Sequence, residues 1–387
     1  MTEETFGDGP DRLRADILRI WSRLLETSDL SIDDDFFDKG GDSFLATELM
    51  LELRQVTGKA LPDSLLFESS TVRSLAQRLS EKESPQPKAA VRVGAASDGA
   101  APLLFFHGDW TRGGFYVEHL ARKLGPEISL IAVAPHGPGG EPIPPSIEDM
   151  AADRLPAILA AQPTGPYRLA GHCVGGIVAL ETARLLMKLN HKVETVVMID
   201  SPLMIGGKVM LGPRGEARDA VWASDDVPVR PLTPEVDWGL EPYTERLAVY
   251  SPTPLAVRLL AIAGEFDGRV WTRLSDNAAL QETYGAHFDL VTSRINELAS
   301  RLRSWLSGNP SLDSSESLPP LTPTSKDETS PAGSSKPEPQ QSLIREHEDK
   351  ALASGMSNKE IPAPTIGTTK HESLSRRLRR LINYARR

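Results

Sequence analysis

Residues 167–176 read Tyr-Arg-Leu-Ala-Gly-His-Cys-Val-Gly-Gly. A short apolar strand runs into Gly-x-Cys-x-Gly, and a helical stretch over residues 177–189 follows at once. The plain reading of the one cysteine in the chain, Cys173, is core packing, because free cysteine is among the most buried residue types. The glycine spacing argues against that reading. A sharp strand-to-helix turn can lift its central residue clear of the sheet only if the positions two before and two after it carry no side chain. Gly171 and Gly175 meet that requirement, and Gly176 gives the helix further room to pack close to the sheet.

Outward from this turn, short apolar runs at residues 103–106, 128–134, 167–170, 193–199 and 257–263 alternate with helical patterns at 115–124, 147–161, 177–189 and 289–306. Runs of this length with apolar residues on both faces are buried parallel strands. The alternation predicts an α/β domain over residues 102–307, a mostly parallel sheet with helices on both faces. In such a sheet ligands sit at the carboxyl ends of the strands, so functional residues are expected just after them.

The chain has 387 residues, 40% of them apolar, which is enough for two or three cores. One cysteine allows no internal disulfide, and the amino terminus lacks the basic and then apolar segments of a secretory leader, so a cytoplasmic chain is expected. No run approaches the roughly 18 apolar residues that a membrane span requires. Forty-three Lys and Arg against 53 Asp and Glu give a net charge of -10, which makes nucleic acid a poor partner. No metal site is expected.

The Gly-x-Cys-x-Gly turn resembles the nucleophile elbow of α/β-hydrolases, and more narrowly that of the thioesterase domains that end nonribosomal peptide and polyketide assembly lines. Most of that family has serine where this chain has Cys173. A thiol at a helix amino terminus beside a histidine can ionise near neutral pH and is intrinsically a strong nucleophile. The resemblance implies that His287, in Tyr-Gly-Ala-His-Phe-Asp before the terminal helix, is the base. For the orienting acid two residues compete. Asp200, 27 residues after Cys173, has the placement of assembly-line thioesterases, and Asp267, in Gly-Glu-Phe-Asp-Gly, has that of many other α/β-hydrolases. Asp200 is favoured; Asp267 would otherwise be a turn residue. The backbone amides of Val174 and of Asp109, in Phe-Phe-His-Gly-Asp-Trp, are expected to form the oxyanion hole, with His107 structural. An irregular stretch between Pro202 and Tyr250, with Trp222 and Trp238, is expected to form a lid over an acyl pocket.

Upstream, residues 1–80 carry 16 acidic against 9 basic residues, with neither cysteine nor histidine. Leu13, Ile17, Ile20, Trp21 and Leu24, then Leu45, Leu49 and Leu53, then Val72, Leu75, Ala76 and Leu79 fall at helical spacing, the third pattern opened by Ser69, Ser70 and Thr71 as candidate caps. Residues 33–49 read Asp-Asp-Asp-Phe-Phe-Asp-Lys-Gly-Gly-Asp-Ser-Phe-Leu-Ala-Thr-Glu-Leu. On local grounds Ser43 or Asp42 is a helix cap and the glycines make the turn. The whole string, however, resembles the phosphopantetheine attachment motif of acyl and peptidyl carrier domains. That resemblance implies a small all-α carrier helix bundle over residues 11–80, with a 4'-phosphopantetheine joined covalently to Ser43 by a phosphopantetheinyl transferase. Phe36, Phe37, Leu45, Leu49, Leu66 and Phe67 are assigned to its core.

Residues 81–101 read as a flexible linker and residues 308–387 as a disordered C-terminal tail, the latter ending in a possible basic amphipathic helix over 372–387 with six arginines. Together these features imply a carrier and thioesterase didomain that passes an acyl or peptidyl thioester to Cys173 and releases it by hydrolysis or cyclisation. Two alternatives are an acyltransferase serving an amine or hydroxyl acceptor and a catalytically idle tethering protein. Upstream adenylation, condensation or acyl-loading enzymes are expected partners.

Overall fold

The computed structural model describes residues 10–81, 83, 85–94, 101–108, 114–137, 141–205, 208–211, 229–231, 240–283 and 285–308. The C-terminal tail with its 372–387 helix, Asp109, Trp222 and Trp238 lie outside these residues.

The amino-terminal unit has four helices: α1 (Pro10–Leu24), α2 (Ser43–Thr57), α3 (Ser64–Glu68) and α4 (Val72–Ser80). Each long helix buries one stripe. Ile17, Trp21, Leu49, Met50, Leu53, Val72 and Leu75 meet in a single core, with Phe36 set edge-on to Trp21 at 5.0 Å. Of the six residues expected there, Phe36, Leu49 and Leu66 are buried, while Phe37, Leu45 and Phe67 are half-buried against it. Local caps fix where the helices begin. Thr71, the third of the candidate caps, forms a capping box with Ser74 that opens α4. At α2 the cap is Asp42, whose carboxylate accepts the Leu45 amide at 2.9 Å. That choice removes the capping role from Ser43.

The second unit is a seven-stranded sheet in the order β1-β3-β2-β4-β5-β9-β10. Its strands are β1 (Ala90–Val93), β2 (Leu103–Phe106), β3 (Leu130–Val133), β4 (Tyr167–His172), β5 (Val193–Ile199), β9 (Arg258–Ala263) and β10 (Ala278–Glu282). All neighbours run parallel except β1, which pairs antiparallel with β3. One face is covered by α6 (Ile147–Ala161) and α7 (Val174–Lys188), the other by α5 (Tyr116–Leu124) and the terminal helix Ile295–Leu306. This is the layered α/β arrangement that the alternation predicts.

Two strands of this sheet escape the sequence reading. Ala90–Val93 falls in the stretch read as a flexible linker, yet it closes one edge of the sheet. Its signal is weak because the four residues alternate in burial and include Arg92. Strand β10 is half-buried along most of its length and closes the other edge, so it lacks a buried strand's apolar run. In the stretch expected to be an irregular lid, the described residues form an antiparallel three-stranded sheet of β6 (Met204–Ile205), β7 (Lys208–Met210) and β8 (Val229–Pro231), then a helix Thr244–Val249.

Candidate active site

Cys173, Asp200 and His287 follow β4, β5 and β10 at the carboxyl end of the sheet. Cys173 has φ 56° and ψ -134°, and α7 begins at the next residue, three positions earlier than its apolar period indicates. A positive φ at a residue with a side chain costs on the order of 1–3 kcal/mol and is held only by tight surroundings. Those surroundings are the glycines. A Cβ at Gly175 would lie 2.2 Å from the Phe106 carbonyl oxygen, and one at Gly171 would lie 2.4 Å from the Gly175 backbone. The close approach lets β2, β4 and α7 meet at the turn.

Asp200 also has a positive φ, 42°. It is buried, and three hydrogen bonds satisfy its carboxylate. Oδ1 accepts the amides of Gly264 and Phe266, both at 2.9 Å, and Oδ2 accepts His287 Nδ1–H at 2.7 Å. The two amides come from the turn after β9, so two neighbouring strands jointly aim one carboxylate. Because a carboxylate only accepts, the proton of neutral His287 resides on Nδ1 and its Nε2 keeps the lone pair. The ring is buried and lies within reach of the Cys173 charge. Burial disfavours the imidazolium, but Cys173 and Asp200 outweigh it and push His287 up to about 10.

Asp267 stands elsewhere. Its carboxylate is buried against Arg269, accepting from the guanidinium at 3.0 and 3.1 Å and from the Arg269 amide at 3.0 Å. Of the two competing acids, the structure brings only Asp200 to His287. Val174 is the first residue of α7, placed directly after the nucleophile candidate. His107 is buried, and burial together with the nearby Arg154 charge pushes it down to about 3. A cavity of about 20 Å³, room for about one water, is bordered by Gly108, Val174, Arg154, His136 and Tyr243 beside the elbow.

Two residues of the site have no signal in the sequence. His172, the variable residue of the elbow, stacks on His287 with ring centroids 4.5 Å apart and planes 23° from parallel. Its Nε2–H donates to the His287 carbonyl at 3.2 Å. Burial, reinforced by the charge of His287, pushes it down to about 3 and keeps it neutral beside the imidazolium. Glu265, two positions before Asp267, accepts the His287 amide at 3.0 Å. One ring and one carboxylate therefore fix the backbone and plane of His287 from two sides.

At the carrier end, Ser43 is the first residue of α2 and is half-buried, beside exposed Phe44. With Asp42 as cap, none of the described residues takes the Ser43 hydroxyl in a hydrogen bond. A serine at a helix start with its hydroxyl unengaged suits phosphodiester attachment, and the helix amino terminus favours the added negative charge. Among the described residues no group of three or more His, Cys, Asp or Glu is placed to hold a metal ion, and no helix is long and apolar enough to cross a membrane.

The thioesterase domain family matches residues 102–216 and the phosphopantetheine attachment site family matches residues 15–79. The chain therefore carries a stretch that matches the phosphopantetheine attachment site family followed by one that matches the thioesterase domain family. The attachment-site match indicates a covalently attached 4'-phosphopantetheine. The chain is 33% identical over 187 residues to indigoidine synthase of Streptomyces lavendulae, a match covering 48% of this chain and 14% of that protein. It is 35% identical over 202 residues to a dimodular nonribosomal peptide synthase of Bacillus subtilis, covering 50% of this chain and 8% of that one. Indigoidine synthase of Dickeya dadantii is 33% identical over 190 residues, with 48% and 12% covered. The chain thus spans less than one sixth of the length of these relatives.

Proposed function

We propose that an acyl or peptidyl group held as a thioester on Ser43 passes to Cys173 and is then released to water or to a nucleophile within the acyl chain. The observation that carries this reading is the buried alignment of Cys173, His287 and Asp200 at three strand ends, the Nδ1 to Oδ2 distance being 2.7 Å. The bound 4'-phosphopantetheine supplies a thioester at the end of a flexible tether.

Cys173 Sγ attacks the thioester carbonyl, and its proton resides on His287 Nε2. Asp200 stabilises the imidazolium through Nδ1 without taking its proton. The oxyanion is received by the Val174 amide, aided by the field at the start of α7. As the tetrahedral centre collapses, the bond to the departing sulfur breaks and His287 returns the proton to that sulfur. In the second half His287 Nε2 takes a proton from the incoming water, amine or hydroxyl as its heteroatom bonds to the acyl carbon, and the bond to Cys173 Sγ then breaks, releasing the product and leaving the proton on His287 as at the start. Because the enzyme intermediate is itself a thioester, the first exchange is nearly thermoneutral and the acyl group stays reactive toward a weak second nucleophile.

That property separates sulfur from oxygen at position 173. Cys173→Ser is expected to keep part of its hydrolysis of a simple acyl thioester but to lose disproportionately in cyclisation or transfer, whereas Cys173→Ala loses both. Product ratios by chromatography, with the acyl substrate carrying a competing amine or hydroxyl, read the difference. Equal loss of both products in the serine variant would leave plain hydrolysis as the better description. Adenylation, condensation or other acyl-loading enzymes are the expected suppliers of the acyl group.

A further inference from the structure

The carrier does not merely precede the thioesterase; it packs on one helix of it. Phe115, the residue before α5, is buried within the carrier's own core, tilted against Phe67 of α3 at 5.4 Å. One turn or two along α5, Arg122 pairs with Asp35 at 2.8 Å and with Asp38 of the loop that leads to Ser43, and lies over the Phe37 ring at 5.7 Å. Within α5, Glu118 holds the same guanidinium at 3.1 Å. Lys88 pairs with Glu68 at the other side of the contact. His119 of α5 feels the charge of Asp42, the cap next to Ser43. At its first residue, Tyr116, the same helix meets the His172 ring edge-on at 6.1 Å, one residue from Cys173.

We propose that α5 is the seat from which this chain's own carrier delivers its acyl group to Cys173, with Phe115 as the apolar anchor and Arg122 as the ionic contact that sets the carrier's orientation. This rests on the transfer from Ser43 to Cys173 proposed above. A single buried aromatic ringed by charge pairs is an interface of the anchored type, in which the aromatic supplies affinity and the charges supply register. The pairs are solvent-accessible, so the seat is weakened by salt and can release the carrier. It also leaves Phe44, Leu51 and Val56 of α2 exposed, a face of the carrier that the seat does not cover.

The test uses the full chain with its arm attached and loaded. Single-turnover loss of acyl group from the arm is followed beside hydrolysis of a free N-acetylcysteamine thioester, which needs no carrier. Arg122→Glu should slow transfer from the arm about tenfold, the scale of reversing several exposed charge pairs. Hydrolysis of the free thioester and phosphopantetheinylation of Ser43 should stay within about twofold. Adding Asp38→Arg to Arg122→Glu should recover transfer, and raising salt should slow transfer in the wild type but not free hydrolysis. Unchanged or faster transfer in Arg122→Glu, or an equal fall in free hydrolysis, overturns the seat. A wild type that hydrolyses the free thioester and never draws acyl from the arm overturns the underlying transfer, and the seat with it.

Discussion

Two buried histidines stacked 4.5 Å apart are pushed in opposite directions, His287 up to about 10 and His172 down to about 3. The raised value means that His287 stays protonated as pH climbs through 6 to 8, while His172 stays neutral over the same range. Imidazole NMR should therefore show neither ring titrating between pH 6 and 8. Asp200→Asn removes one interaction that raises His287, so its midpoint should fall; a midpoint near 6.5 in the wild type would contradict the assignment. In turnover, Asp200→Asn should cost orders of magnitude and Asp267→Asn little, since Asp267 is bound to Arg269. The reverse ranking would move the acid to Asp267. His172→Phe keeps a stacked ring but loses the hydrogen bond to the His287 carbonyl, so kcat is expected to fall about tenfold with KM nearly unchanged, as misorientation of a base does. A changed KM with unchanged kcat would deny it a positioning role. Cys173 could be found in the sequence because its glycine spacing marks a strand-to-helix turn, whereas His287 and the pair of competing acids came from the resemblance, the half-buried strand before His287 having left no signal. The choice between the acids could not, because it depends on amides of Gly264 and Phe266 that turn toward Asp200 only in the folded chain.

At the scale of elements, the buried central strands carried a clear signal and the two edge strands did not, because β1 and β10 present polar or half-buried residues to solvent. The elbow was legible for a steric reason that is independent of composition. Gly175→Ala would place its Cβ 2.2 Å from the Phe106 oxygen, backbone that cannot move aside without parting β2 from α7. Loss of activity with a clearly lowered thermal midpoint is the expected outcome, and an unchanged midpoint by calorimetry would show that the turn is looser than described. At α2 the sequence left the cap open between Asp42 and Ser43, and the structure assigns it to Asp42. Asp42→Ala should then cost about 1 kcal/mol in denaturant unfolding, whereas Ser43→Ala should change stability by less than about 0.5 kcal/mol. A large loss in Ser43→Ala would mean that the serine is structural.

Across the whole molecule, composition separated an acidic helical unit from an α/β unit but carried no trace of how they meet. The contact rests on Phe115 and Arg122, ordinary residues of an amphipathic helix whose partners lie far upstream in the chain. On the transfer proposed above, one acyl group visits two residues of this chain, Ser43 through its arm and then Cys173. Intact-protein and peptide mass spectrometry, taken at short times after phosphopantetheinylation and acyl loading, reads both sites at once. Acyl mass is expected on the Ser43 peptide first and on the Cys173 peptide next, with Cys173→Ala retaining it on Ser43 alone and Ser43→Ala gaining no arm. Acyl release from the wild type at the same rate as from Cys173→Ala, with no acyl mass ever on the Cys173 peptide, would contradict it.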